Sequence, residues 1–200
     1  MKAQDCLFIF EQAINDYHQY DDVNRAIQNP YQEGTIHHVL YLKSWIDTVQ
    51  WHYEDIIRDL NINPVEGMEL KRKIDKSNQH RTDVVEQLDD YYIALFEKVT
   101  PQSSATLNTE SPGWVVDRIS ILCLKIYHMQ EQVNRSEVSE VHKTQCTNKL
   151  AILLDQKNDL TTSFNGLLDE FTQGTKKIKV YRQMKMYNDE SLNPILYKKG

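Results

Sequence analysis

The sequence predicts an all-α protein, an antiparallel helix bundle made of two pseudo-repeated long helical hairpins with an N-terminal helix before them and a tail after them. Three observations carry this reading. Apolar residues recur at a period near 3.6 over long stretches. Two of those stretches open on a capping residue followed by proline, Asn63-Pro64 and Ser111-Pro112, which suits the first turn of a helix. Six glycines and five prolines in 200 residues are too few for the many tight turns of an all-β chain.

The first element spans about Ala3 to Tyr20, with Cys6, Phe10, Ala13, Ile14 and Tyr17 on one face. Asn29-Pro30 and Gly34 then interrupt the pattern, so residues 1–34 read as a helix and a linker. Thr35 can cap a second helix running to about Leu60, striped by Val39, Leu42, Ile46, Val49, Tyr53, Ile56, Ile57 and Leu60. A third runs from Pro64 to about Val99, with Leu70, Ile74, Val84, Val85, Leu88, Tyr92, Leu95 and Val99 on one side, and the short loop before it makes it the second helix's partner.

After a polar loop from Pro101 to Glu110, Ser111-Pro112 opens a fourth helix through about Val133. Val116, Ile119, Cys123, Ile126 and Tyr127 face inward, while Ile121, Leu124 and Met129 lie off that stripe, so this helix is expected at the centre. A fifth extends from near Ser136 to Phe171 and stops before Gly174. The third and fifth overlay without a gap: Ile74, Asp75, Asn78, Thr82, Leu88 and Asp89 match Leu154, Asp155, Asn158, Thr162, Leu168 and Asp169. Each follows a helix with an acid near its start, Asp47 or Asp117. The chain is thus expected to be one domain with helix pairs at 35–100 and 111–173 and a basic, tyrosine-rich tail at 174–200.

The net charge of −6 argues against a general nucleic-acid partner. The charge is uneven, because Lys176, Lys177, Lys179, Arg182, Lys185, Lys198 and Lys199 make the tail basic against an acidic body. Such a tail can dock on that body or meet an anionic partner. Three cysteines without paired spacing suggest neither disulfides nor a cysteine-based zinc site and fit a reducing, cytoplasmic setting. No apolar run is long enough for an export signal or a membrane span.

Arg81 falls within the apolar stripe of the third helix, and a guanidinium there needs partners. Asn78 borders the same stripe, Lys71, Asp75 and Asp89 flank it, and the preceding helix offers His52, Glu54, Asp55 and Arg58. This constellation reads in two ways. It can be a buried charge network that fixes helix register. It can instead be a pocket for an anionic ligand held by Arg81, Lys71 and Arg58, with His52 and His80 close by. Both readings require Arg81 to turn inward among acids from two neighbouring helices.

An alternative function is a metal-dependent phosphoanhydride hydrolase, in which Glu54, Asp75, Glu86 and Asp89 hold Mg²⁺ or Mn²⁺. Glu86 and Asp89 fit half of the paired-acid pattern of all-α nucleotide pyrophosphatases, and the second helix does not supply the other half. No Glu-x-x-His pair for a di-metal bundle is present, and no glycine-rich phosphate loop or HExxH motif. His37-His38 reads as a helix start without a third ligand. Arg118 and Lys125, seven apart, share a face that is either a solvated edge or an anion contact, with Asp117 beside it.

Three segments, Trp51 to Arg58, Lys71 to Arg81 and Ser111 to Met129, together resemble the bacterial domain of unknown function numbered 4254. Tyr187-Asn188-Asp189 with Asn193-Pro194 adds to the likeness, although Glu190 stands where that pattern has proline. The resemblance covers most of Thr35 to Tyr197 and implies a helical protein of Bacteroidetes-type bacteria with no assigned activity. It further implies a genomic setting beside glycosyltransferases of cell-envelope glycan synthesis, and hence an accessory role there. The seam around Arg81 and the basic tail add the expectation of an anionic small molecule or a glycosyltransferase as partner, with the oligomeric state left open.

Overall fold

The computed structural model describes residues 1–186 and 189–198, so the motif residues Tyr187 and Asn188 and the tail's Lys199 lie outside the described residues. Helix dominates: α1 (Ala3–Tyr17), α2 (Ile36–Ile56), α3 (Pro64–Phe96), α4 (Pro112–Asn134), α5 (Glu140–Gln173) and a single turn, α6 (Pro194–Tyr197). Two residue pairs, β1 (Thr106–Leu107) and β2 (Lys176–Lys177), run parallel and fasten the loop before α4 to the chain leaving α5. No helix among the described residues is long and apolar enough to cross a membrane.

Local signals set most boundaries. The Thr35 hydroxyl accepts the His38 N–H, and the Asn63 side chain accepts the Val65 N–H with Pro64 at the first helical position. Ser139 caps α5 through the His142 N–H, and Gly174 ends it in the left-handed conformation at φ 70°. That glycine is needed twice over, since a Cβ there would come within 2.9 Å of the Thr100 carbonyl.

The start of α4 is capped from elsewhere. Ser111 makes no cap bond with its side chain and donates instead to Asp89 Oδ2 of α3 at 2.6 Å. Asp89 Oδ1 then accepts the Gly113 N–H at 2.7 Å, replacing the local cap with a carboxylate from another helix. Gly113 is obligatory for this approach, because a Cβ would meet the Val85 carbonyl at 2.6 Å and Asp89 Oδ1 at 2.7 Å.

As expected for a helix apolar on several sides, α4 is central and touches α1, α2, α3 and α5. Cys6, Phe10, Ala13, Ile14 and Tyr17 of α1 are all buried against it and against α2. On α2 the expected stripe is rotated. Val39, Leu42, Val49 and Tyr53 are only half-buried, Leu60 is 99% exposed beyond the end of the helix, and the fully buried face carries Lys43, Ser44, Asp47 and Thr48 among Leu40, Tyr41 and Trp45. The cause is geometric: α2 packs on α1, α3 and α4 at once, so its polar face points into the molecule. Toward the end of α3, Phe96 replaces the expected Leu95 in the core.

Across α2 and α3, Asp47 meets Arg81, and Gln50 meets Ser77 and Asn78. Burial along the α3/α5 overlay agrees at Leu88 and Leu168, both buried, and at Asp75 and Asp155, both exposed, and differs at the other matches: Ile74, Thr82 and Asp89 are buried while Leu154, Thr162 and Asp169 are exposed.

Candidate functional site

Four charged side chains from three helices meet in the interior. Lys43, fully buried on α2, pairs with Asp47 one turn later and with Asp117 Oδ1 of α4 at 3.0 Å. Arg81 of α3 donates to both Asp117 oxygens, Nε to Oδ1 at 2.8 Å and Nη2 to Oδ2 at 2.7 Å, and its Nε lies 3.5 Å from Asp47 Oδ1. Ser120 donates to Asp47 Oδ2 at 2.6 Å. Two cations thus balance two carboxylates, the condition under which charges persist away from water.

The two acids are not equivalent. Burial pushes the Asp47 carboxyl above its ordinary range, beyond what Lys43 offsets, and the charge of Asp117 adds to the rise. Burial acts against Asp117 as well, but Lys43 and the Arg81 fork outweigh it and hold that carboxyl below its ordinary range. Asp47 Oδ1 has no hydrogen-bond partner, and no hydrogen bond of the described residues uses Arg81 Nη1.

Both residues line a cleft of about 370 Å³. Its walls are Gln50, Trp51, Ile121 and Leu124, and Glu54, Asp55 and Arg58 complete the lining, with Arg58 bonded to the Glu54 carboxylate at 2.8 Å. The structure therefore brings Arg81, Glu54, Asp55 and Arg58 to one place and Asp117 beneath it. It directs the remaining expected residues elsewhere. Lys71 and Asp75 pair with each other in solvent, and Asn78 accepts from Gln50 at 2.7 Å. Asp89 is the cap of α4, Arg118 pairs with Glu110, and Lys125 is exposed. His80 is exposed in a different groove, between α2 and α3, and His37 stacks on Tyr31. His52 turns away from the charge network toward His18, 3.2 Å between their Nε2 atoms.

The carboxylates of the hydrolase reading are dispersed. Glu54 serves Arg58, Asp75 serves Lys71, Asp89 caps α4, and Glu86 receives the Gln183 N–H at 3.0 Å and the Arg182 guanidinium at 3.5 Å. Among the described residues only His18, His52 and His128 group as metal ligands could. The basic tail docks on the body at Arg182, which pairs with Asp90 and Glu86, and at Lys185, which donates to the Thr82 hydroxyl at 2.6 Å and the Asn78 carbonyl at 3.0 Å.

Lys43 was missed in the sequence as the second cation of this network, although a lysine between Leu42 and Trp45, four residues before Asp47, is the signal. Trp51 and Ser120 carry no such mark. Neither curated proteins nor solved structures give a match to this chain. A family model described as "Protein of unknown function (DUF4254)" matches residues 37–180, a span that holds all four network charges and every residue of the cleft, and the chain belongs to that family.

Proposed function

We propose that the protein is a non-catalytic binding protein whose cleft takes a small hydroxylated anion of the sugar-phosphate or sugar-nucleotide class. The observation that carries this is that two residues lining the cleft each keep a polar group without a hydrogen bond to the described residues: Asp47 at its buried Oδ1 and Arg81 at Nη1. An unmade hydrogen bond on a buried polar atom costs about 1–3 kcal/mol, which a ligand hydroxyl would recover. Arg81 and Arg58 supply donors to phosphate oxygens, Glu54 and Asp55 supply acceptors to sugar hydroxyls, and Trp51 with Leu124 supplies an apolar wall. The mixed charge of this lining favours a ligand carrying both anion and hydroxyl groups over a bare phosphate.

A cytoplasmic accessory role in envelope glycan synthesis, alone or against a glycosyltransferase surface, is consistent with such a ligand. The duplicated antiparallel hairpin belongs to the same reading. It is supported by the descending order of α2 against α3 and by the meeting of Asp47 and Asp117 on Lys43, and the unequal burial of the α3 and α5 matches counts against it.

Calorimetric titration of the full chain with a panel of sugar phosphates and nucleoside diphosphate sugars tests the proposal. Binding is expected, weakened severalfold in Arg58→Ala and more in Arg81→Lys, which keeps the charge and loses the fork. No heat from any ligand with folded protein, or equal affinity in Arg81→Lys, would overturn it.

A further inference from the structure

Beside the cleft lies a second cluster that the charge network does not use. His18 closes α1, His52 sits on α2 and His128 on α4, and one ring nitrogen from each lies within 4.8 Å of the other two. We propose that these three histidines bind a zinc-class divalent transition-metal ion.

The orientation of the rings argues for it. His18 Nδ1 is 2.7 Å from the Ile14 carbonyl and His128 Nδ1 is 2.7 Å from the Glu131 carboxylate. Each of those contacts requires the proton on Nδ1 and leaves Nε2 as a lone pair, the arrangement by which an outer partner fixes the tautomer of a metal ligand. The lone pair of His18 faces His52 Nε2 at 3.2 Å, and His128 Nε2 is buried without a hydrogen-bond partner. Nitrogens about 2.0–2.1 Å from a tetrahedral zinc stand roughly 3.3 Å apart, so the first pair is already at ligating separation.

Each imidazole is also held flat by an aromatic neighbour. His52 stacks on Tyr17, His18 on Tyr127 and His128 on Trp51, with centroids 5.0, 4.2 and 4.8 Å apart. Burial lowers the pKa of His18 and of His52 by opposing their charged forms. Neutral imidazole is the form that binds metal. A fourth position has a candidate in Asp21, whose carboxylate is 4.0 Å from His18 Nε2 and whose backbone adopts a left-handed φ of 48°. Water at that position would make the site one with an exchangeable ligand. His18 and Asp21 precede the segment matched by the family model, so α1 would complete a site that α2 and α4 begin.

The test is a titration of the chelator-treated full chain with Zn²⁺ by calorimetry and with Co²⁺ by visible absorption. One equivalent of Zn²⁺ and the intense bands of four-coordinate Co²⁺ are expected. His52→Phe and His128→Phe keep a stacked ring and remove the lone pair, so each is expected to abolish stoichiometric binding while helical circular dichroism is retained. Glu131→Gln is expected to weaken binding about tenfold or more. Histidine ring NMR on the wild-type chain needs no variant, and Zn²⁺ is expected to move the resonances of these three rings. Folded wild-type protein that takes up no stoichiometric metal, unchanged affinity in both phenylalanine variants, or shifts confined to His37, His38, His80 or His142 would overturn the proposal.

Discussion

Arg81 and Asp117 form a two-pronged ion pair between α3 and α4, with Nε and Nη2 at 2.8 and 2.7 Å from the two carboxylate oxygens. Asp117→Ala leaves Lys43 and Arg81 with Asp47 as their one carboxylate in a site where Lys43 is fully buried, and is expected to cost about 3–5 kcal/mol in urea unfolding. Asp117→Asn keeps the shape and one acceptor, so it should fall below that range.

Lys43 gives a sharper contrast. Lys43→Met alone leaves Asp47 and Asp117 facing only Arg81, and a loss of about 3–5 kcal/mol is expected. Lys43→Met combined with Asp47→Leu removes one charge of each sign and should recover most of that loss. A double-mutant cycle by chemical denaturation measures the coupling.

Stability is expected to depend on pH through His18 and His52. Both have folded pKa values below the ordinary 6.5, because burial and neighbouring imidazoles oppose their charge. Their contribution is therefore complete above pH 6.5 and is lost as pH falls through the lowered folded values. Melting temperature measured without metal should drop over this interval, and the drop should shrink in His52→Phe. Asp117, also lowered, acts with the same sign further into acid, below the ordinary carboxylate pKa of 3.8.

Gly113→Ala places a methyl group against the Val85 carbonyl and the Asp89 carboxylate. It should destabilise by about 1–3 kcal/mol by thermal denaturation, in spite of alanine's better helix propensity. Gly166→Ala is the control, since nothing lies within 4 Å of its added Cβ.

The helices were legible because caps and breakers are local: Thr35, Asn63, Pro112 and Gly174 act where the sequence places them. Arg81 stood out because its charge interrupts an apolar stripe. Its partners did not, since Asp117 is 36 residues away and its place opposite Arg81 depends on how α4 packs, which no local spacing records. The inward face of α2 was obscured for a related reason: Lys43 and Asp47 look like surface residues until three helices surround them. His18, His52 and His128 come from three helices and share no spacing at all.

The carboxylate that closes the first turn of α4 is borrowed from a position 24 residues earlier in the chain. An isolated peptide of α4 therefore lacks the carboxylate that holds the Gly113 amide and the Ser111 hydroxyl, and its leading end should fray. Docking of α3 and completion of α4 become one event during folding, and native-state hydrogen exchange at Gly113 should report the opening of the α3–α4 interface instead of a local unwinding.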